Sequence, residues 1–207
     1  MTDSGRTDSR EHYFTANPAT PDERRPLAVT LAGRRVTVEV APGIFSPGGL
    51  DKGTAVLFEE VPAPPPSGRF LDLGCGWGPI ALTLGMLSTH ADVVAVDVNE
   101  RSVDLTNRNA EALGLDHVRA VTPEAVADGA AYDLIWSNPP IRVGKAALHD
   151  LLRLWLPRLG PGGRAYLVVQ RNLGSDSLQR WIEAELRMPC VRLASSKGFR
   201  VLEVRPA

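Results

Sequence analysis

From residue 69 onward, short apolar runs alternate with longer mixed stretches. The runs predict strands over Arg69–Leu73, Asp92–Val98, Val118–Val121, Tyr132–Ser137 and Arg164–Gln170. Runs so brief and so continuously apolar suit strands covered on both faces. The stretches between and after them read as helices over Pro79–Leu87, Glu100–Leu113, Ala146–Leu159 and Ser175–Leu186. Gly114 closes the second of these helices, and Gly160-Pro161-Gly162-Gly163 closes the third. Strand and helix in alternation imply a parallel sheet. Val191–Ala194 and Phe199–Val204 flank Ser195-Ser196-Lys197-Gly198, which adds an antiparallel hairpin at the end. The expected fold is therefore α/β: a Rossmann-like, seven-stranded, mostly parallel sheet ending in an antiparallel hairpin.

The first third of the chain is patterned differently. Leu27–Leu31 and Arg34–Val40 alternate around Ala32-Gly33 and predict a β-hairpin. Gly43 to Gly49 is a glycine-rich loop. Asp51 then stands as N-cap of a helix running through Thr54, Val56, Leu57 and Phe58 to about Glu60. Val61 to Gly68 contains four prolines and forms a stiff connector. The expected organisation is a disordered tail (1–11), an N-terminal cap of hairpin, loop and helix (12–60), the connector (61–68) and a main domain (69–207). His12-Tyr13-Phe14 opens the cap. No internal repeat interrupts this plan.

Composition changes the picture little. A chain of 207 residues accommodates one sizeable α/β domain with an appendage. Apolar content of 43% and charged content of 23% are those of a soluble globular protein. No run approaches membrane-span length, and Met1 to Arg10 is polar, unlike a signal peptide. The two cysteines, Cys75 and Cys190, lie far apart with no metal-type spacing, so a reduced, cytoplasmic setting without a metal is expected. Charge is more informative. Residues 141–207 carry twelve Lys and Arg against five Asp and Glu, while residues 61–140 carry four against ten. That segregation can give one face suited to a polyanion, although a sequence pI of 6.4 opposes strong non-specific nucleic-acid binding.

Three stretches carry candidate chemistry. In Asp72-Leu73-Gly74-Cys75-Gly76-Trp77-Gly78-Pro79 a strand ends in a G-x-G-x-G turn and a helix begins at proline. Glycines there let the backbone turn sharply and approach a ligand, and Pro79 at the first helical position forfeits no hydrogen bond. Asp97 ends the next strand, 23 residues beyond Gly74. A carboxylate so placed can accept hydrogen bonds from both ribose hydroxyls of a nucleoside lying over the turn, or can simply cap the following helix. Ser137-Asn138-Pro139-Pro140 follows the fourth strand. Proline restricts the residue before it, so the backbone is held extended where such a sheet opens its ligand crevice. The Asn138 side-chain oxygen and the Pro139 carbonyl can together accept both protons of a planar amino group. That steers its lone pair out of conjugation and stabilises the positive charge that grows as the nitrogen attacks an electrophile.

These motifs resemble those of the class I S-adenosylmethionine-dependent methyltransferases that modify exocyclic amino groups. Gly43-Ile44-Phe45-Ser46, Leu50-Asp51-Lys52-Gly53-Thr54, Asn138 through Lys145 and Lys197-Gly198-Phe199-Arg200-Val201-Leu202 narrow the resemblance to the small methyltransferase family. That family includes the catalytic half of small-subunit ribosomal RNA guanine-N2 methyltransferases. The resemblance runs from about His12 to Arg205. It implies S-adenosyl-L-methionine as cofactor, held by Asp51, Gly53, Thr54, Asp72, Gly74, Cys75, Gly76, Gly78, Asp97, Val98 and Asn138, with Asn138, Pro139 and Pro140 also holding the target amine. It implies ribosomal RNA or a ribosomal subunit as partner.

Two departures stand out. Many amine-modifying relatives have an aromatic residue after the prolines to stack on the base, where this chain has Ile141. Base stacking then falls to Phe45 or Phe199. No aspartate follows the third strand at the usual adenine contact, and Glu124 is the substitute. Lys145 and Arg200 are the first candidates for phosphate contact, with Gln170, Arg171 and Lys197 nearby. His149 is expected on the exposed side of its helix, without a catalytic duty. Two other activities compete with guanine-N2 methylation. One is protein glutamine-N5 methylation, which usually has tyrosine after the prolines; the other is methylation of a small-molecule amine.

Overall fold

The computed structural model describes residues 21–141 and 144–207. The expected tail, the His12-Tyr13-Phe14 cluster, Arg142 and Val143 lie outside the described residues. Strands β1 (Arg25–Leu31) and β2 (Arg34–Val40) pair as an antiparallel hairpin. Its two-residue turn puts Ala32 and Gly33 at φ 48° and 74°, the doubly left-handed geometry that matches strand twist. Helix α1 (Lys52–Glu60) starts where the Asp51 carboxylate accepts from the Gly53 and Thr54 N–H groups, and it ends at Val61 before Pro62.

A seven-stranded sheet follows, with spatial order β5-β4-β3-β6-β7-β9-β8. Its members are β3 (Ser67–Leu73), β4 (His90–Val96), β5 (Val118–Val121), β6 (Tyr132–Ser137), β7 (Leu159–Gln170), β8 (Cys190–Ser196) and β9 (Phe199–Val204). The first five run parallel to one another, and β9 pairs antiparallel with both β7 and β8. The chain winds outward from β3 to β5, then returns to β6 on the other side of β3. That reversal places the ligand crevice at the carboxyl ends of β3, β4 and β6.

Helices α2 (Pro79–Leu87) and α3 (Glu100–Ala112) cover one face together with α1 and the hairpin. Helices α4 (Lys145–Trp155) and α5 (Ser175–Trp181) cover the other. Leu31, Val38, Val40, Ala41 and Ile44 from the N-terminal segment join Phe70, Trp77, Leu82 and Leu105 in one continuous apolar core. The segment expected as an appendage thus packs as part of the domain. The linking segment is also shorter than expected, because β3 already begins at Ser67.

Other boundaries also differ from expectation. Helix α4 stops at Trp155 and continues as a 3-10 turn over Leu156–Arg158, because Pro157 lacks the N–H that would bond back along an α-helix. Gly160 to Gly163 lies inside β7, where pairing jumps from Tyr132↔Leu159 to Leu134↔Arg164. A side chain on Gly163 would come within 2.9 Å of the Tyr132 carbonyl oxygen, so this bulge needs glycine. Strand β4 ends at Val96, which leaves Asp97 and Val98 just beyond it.

Candidate active site

The glycine turn is held from three directions. Gly74 and Cys75 N–H both donate to the Val96 carbonyl, at 2.8 and 3.1 Å, which ties the turn to the end of β4. Gly76 N–H donates to Asp97 Oδ2 at 3.0 Å. Gly74, Gly76 and Gly78 all have positive φ (85°, 59° and 92°). A Cβ at Gly78 would meet Thr106 Cγ2 at 2.9 Å, whereas nothing lies within 4 Å of one at Gly74. The turn is therefore closely packed at its base and open at Gly74, a cradle into which a ligand fits.

Asp72 is fully buried beneath this cradle. Its Oδ2 accepts from Ala81 N–H at 2.9 Å, capping α2 in place of Gly78, which has no side chain. Its Oδ1 is buried with no hydrogen-bond partner. Burial pushes its pKa up to about 8, the charge of Asp97 adds to the rise, and the Ala81 N–H opposes it. Asp97 is also raised, first by burial, against hydrogen bonds from Asn99 N–H, Gly76 N–H and the Ser102 hydroxyl. Two carboxylates so destabilised as anions, one with an orphaned oxygen, make an electrostatic seat for a cation. S-adenosylmethionine carries a sulfonium and an ammonium, and these residues fit it. Cys75 takes no part as a nucleophile: its thiol is fully buried, pushed up by that burial and by Asp97 and Asp72, and sits 3.4 Å from Thr106 Oγ1.

Asn138 emerges from the end of β6, anchored by Ser137 Oγ donating to the Leu73 carbonyl at 2.7 Å. Its Nδ2 donates to Asp51 Oδ2 at 2.9 Å and to Thr54 Oγ1 at 3.1 Å. The Asp51 carboxylate can only accept, so the amide nitrogen must face α1 and Oδ1 must face away. Gly53 sits in the same corner. A Cβ there would be 2.9 Å from Asp51 Oδ2, 3.1 Å from Phe199 Cε1 and 3.2 Å from Asn138 Nδ2. Asp51, Gly53, Thr54, Asn138 and Phe199 are thus one cluster beside the crevice.

The other expected residues divide between the two faces. Phe45 lies over the glycine turn, its Cβ 3.6 Å from the Cβ position of Gly76. Pro139 is buried and Pro140 half-buried. Val98 is 41% exposed at the rim, and Glu124 is exposed on a one-turn 3-10 helix after β5. Ile141 and Lys145 border a cavity of about 110 Å³ with Leu148, Val169 and Leu178 on the α4–α5 face. Arg200 points to that same face, not toward Phe199. It is ion-paired with Asp176 of α5, and its side chain is only 12% exposed. His149 is not on an exposed side: it stacks on Trp181 with ring centroids 3.8 Å apart, and burial, Lys145 and Arg153 lower its pKa.

Several site-forming residues escape a reading of motifs. Asn99 Nδ2 donates to the Gly43 carbonyl and Arg101 Nη1 to the Pro42 carbonyl, holding the loop before α1 against the start of α3. Asn109 is buried and bridges three groups: Glu39 N–H, Glu39 C=O and Trp77 C=O. These bonds join the hairpin to the glycine turn across roughly 30 to 70 residues of sequence, as far as two asparagines can be from any recognisable spacing. The one signal available is Asn99 as the N-cap of α3, where its Oδ1 accepts from Arg101 N–H; Asn109 has none.

The family model for the methyltransferase small domain matches residues 35–203, nearly the whole described chain. The chain belongs to the methyltransferase small domain family. Among its relatives, the uncharacterized protein YbxB of Bacillus subtilis (strain 168) is 29% identical over 94% of this chain and 98% of its own length. Ribosomal RNA small subunit methyltransferase C of Pseudomonas aeruginosa (strain LESB58) is 34% identical over 91% of this chain. The match covers 57% of that enzyme, so the chain spans about half the length of the curated ribosomal RNA methyltransferases it matches. A T. thermophilus 16S rRNA N2-G1207 methyltransferase, solved with AdoMet and guanosine, superposes with a TM-score of 0.74. It is 26% identical over 92% of this chain and 52% of its own. The ribosomal protein L11 methylase of Lactobacillus delbrueckii subsp. bulgaricus shares the fold, with a TM-score of 0.58 at 20% identity. The expected fold, a Rossmann-like sheet with a terminal antiparallel hairpin and an N-terminal hairpin, is the one observed.

Proposed function

We propose that the chain is an S-adenosylmethionine-dependent methyltransferase acting on the exocyclic N2 of a guanine in small-subunit ribosomal RNA. The observation that carries this reading is Asn138, whose amide nitrogen is committed to Asp51 and Thr54, which leaves Oδ1 as the end of the amide that can accept from a target amine. Likeness over most of the chain to enzymes named for small-subunit ribosomal RNA supports the substrate class.

When bound, the cofactor supplies an electrophilic methyl group on a positively charged sulfur. Asp97 supplies negative charge beneath it and is the carboxylate for the ribose hydroxyls; Asp72, which holds a proton at neutral pH in the free chain, adds charge by releasing that proton as the cation binds. Asn138 Oδ1 and the Pro139 carbonyl accept the two protons of the guanine amine and orient its lone pair. As the nitrogen gains positive charge, those two oxygens stabilise it more than they stabilise the neutral amine, which is the condition for catalysis. No strong base is required, because the nitrogen sheds its proton after it has received the methyl group. The nearness of the Phe199 ring to Gly53 and its corner with Asn138 supports Phe199 as the residue that stacks on the base; Phe45 covers the glycine turn instead.

The test is transfer of labelled methyl from the cofactor to small ribosomal subunits, naked ribosomal RNA, transfer RNA and release factors. Label is expected in ribosomal RNA, and Asn138→Ala is expected to lower the rate about 100-fold. Label in protein and none in RNA refutes the guanine assignment.

A further inference from the structure

We propose that Asp51 is a positioning residue for methyl transfer: it fixes which end of the Asn138 amide faces the acceptor amine. The proposal rests on the reading of Asn138 just given, and it moves the Asp51 side chain from cofactor contact to control of the target-binding group.

An asparagine amide has two ends of nearly equal shape and opposite hydrogen-bonding sense. Only the oxygen end can hold an amine that is about to attack, so a site that tolerates both orientations is idle part of the time. Here both N–H protons of Asn138 are committed to acceptors on one element, Asp51 at the N-cap of α1 and Thr54 in its first turn. Thr54 is 1% exposed, so no water competes for its hydroxyl. A flipped amide would set its oxygen against the Asp51 carboxylate, acceptor facing acceptor, and would leave Thr54 unpaired. Thr54 alone does not exclude the flip, because a hydroxyl both donates and accepts; the carboxylate does.

The geometry also explains why the aspartate stays in place. Its Oδ2 accepts from Gly53 N–H at 2.7 Å and from Thr54 N–H at 3.4 Å, so the helix start holds the carboxylate that holds Asn138. Gly53 lets the three groups converge, since any side chain there would lie within 3.2 Å of Asn138 Nδ2.

Asp51→Ser and Asp51→Asn separate helix capping from positioning. Serine and asparagine are both good N-caps, so α1 forms in each. Asparagine can keep an oxygen toward Asn138, whereas serine is too short to reach it. In the full chain, the ¹H–¹⁵N side-chain pair of Asn138 is identified as the one lost in Asn138→Ala. Slow solvent exchange of this pair is expected in wild type and Asp51→Asn, and fast exchange in Asp51→Ser.

In methyl transfer to small ribosomal subunits, Asp51→Ser is expected to lower kcat about 100-fold with KM for the cofactor changed less than threefold. Asp51→Asn is expected to stay within tenfold of wild type. Adding Asp51→Ser to Asn138→Ala is expected to cost nothing further. The proposal is overturned if the serine and asparagine variants behave alike, or if Asp51→Ser raises the cofactor KM and spares kcat. Should wild type label no RNA at all, the guanine reading fails, and the exchange rate of the Asn138 amide still decides the role of Asp51.

Discussion

Asp72→Asn should make this protein more stable and a poorer binder of its cofactor. In the native chain the Asp72 carboxyl is pushed up to about 8, against 3.8 as its ordinary value. Between those two pH values the folded chain keeps a proton that the unfolded chain has released. Stability therefore falls with rising pH across that window, at about 1.4 kcal/mol per pH unit. Below the lower value both states are protonated and nothing is lost. At pH 7 the accumulated cost is about 4 kcal/mol. Asparagine has the same shape and accepts from Ala81 N–H as Asp72 Oδ2 does, and it carries no titrating proton. Its NH2 replaces an oxygen that already lacks a partner, at a cost of about 1–3 kcal/mol. The net gain at pH 7 is about 1–3 kcal/mol, equivalent to about 2–12 °C in Tm for a chain of this size. Calorimetric unfolding of both proteins at pH 5, 6 and 7 is the assay. The advantage of the variant should grow by about 2–3 kcal/mol over that range. Asp97 titrates in both proteins and largely cancels in the comparison. A difference that does not change with pH would refute the account of Asp72 as a buried acid. A bound cation favours release of the Asp72 proton, so the same substitution should weaken S-adenosylmethionine binding, measured by calorimetric titration, more than binding of the demethylated product, which has lost the sulfonium charge.

Other outcomes follow from single contacts. Gly78→Ala puts a Cβ 2.9 Å from Thr106 Cγ2 at φ 92°, and should destabilise the fold by about 2 kcal/mol or more in urea unfolding; Thr106→Ser should recover part of the loss. Asn109→Ala leaves Glu39 N–H, Glu39 C=O and Trp77 C=O without their partner, and should cost about 2–4 kcal/mol by the same measurement. Lys197→Ala breaks an exposed pair with Glu59 and should cost no more than about 1 kcal/mol. Lys145→Ala and Arg171→Ala should each weaken binding to ribosomal RNA and lower the slope of log affinity against log salt by roughly one, whereas Arg164→Ala, paired with Glu203, should leave that slope unchanged.

Where the chain announces its own punctuation, sequence and structure coincide. Pro79 starts α2 as expected, and β5, β6 and β9 have the expected limits, because apolar runs bounded by turn residues leave few alternatives. Expectation failed where a local signal competed with tertiary pairing. Gly160 to Gly163 reads as a helix stop and a loop, yet β6 recruits it into β7 around a bulge. His149 follows the spacing of an exposed position on its own helix, and only the packing of α5 against α4 puts Trp181 over it. The cradle residues were legible because their chemistry is compressed into seven positions. The asparagines that fasten the hairpin to that cradle were not, since a bond such as Asn109 to Glu39 belongs to two segments with nothing in common until they meet.

The basic surplus of residues 141–207 illustrates the same limit and bears on substrate binding. Read as a sum, it suggests a face with a dozen cations for phosphate. In the fold half of them have internal work: Arg192 and Arg200 meet Asp176, Arg164 and Arg205 meet Glu203, Arg153 meets Asp150, and Lys197 meets Glu59. A guanidinium held by a carboxylate adds little net field at the distance of a phosphate. Lys145, Arg158, Arg171, Arg180 and Arg187 remain without an ion pair among the described residues, and Lys145, Arg171 and Arg180 are on elements that flank the cavity beside Ile141. Alternation along β9 then separates two functions that adjacent sequence numbers seemed to unite. Phe199 faces the Asn138 cluster, and Arg200 faces α5 on the opposite side of the sheet. Arg200, held by Asp176 on the far side of the sheet, is therefore not available to the phosphates of a base that stacks on Phe199, although the two residues are adjacent in the chain.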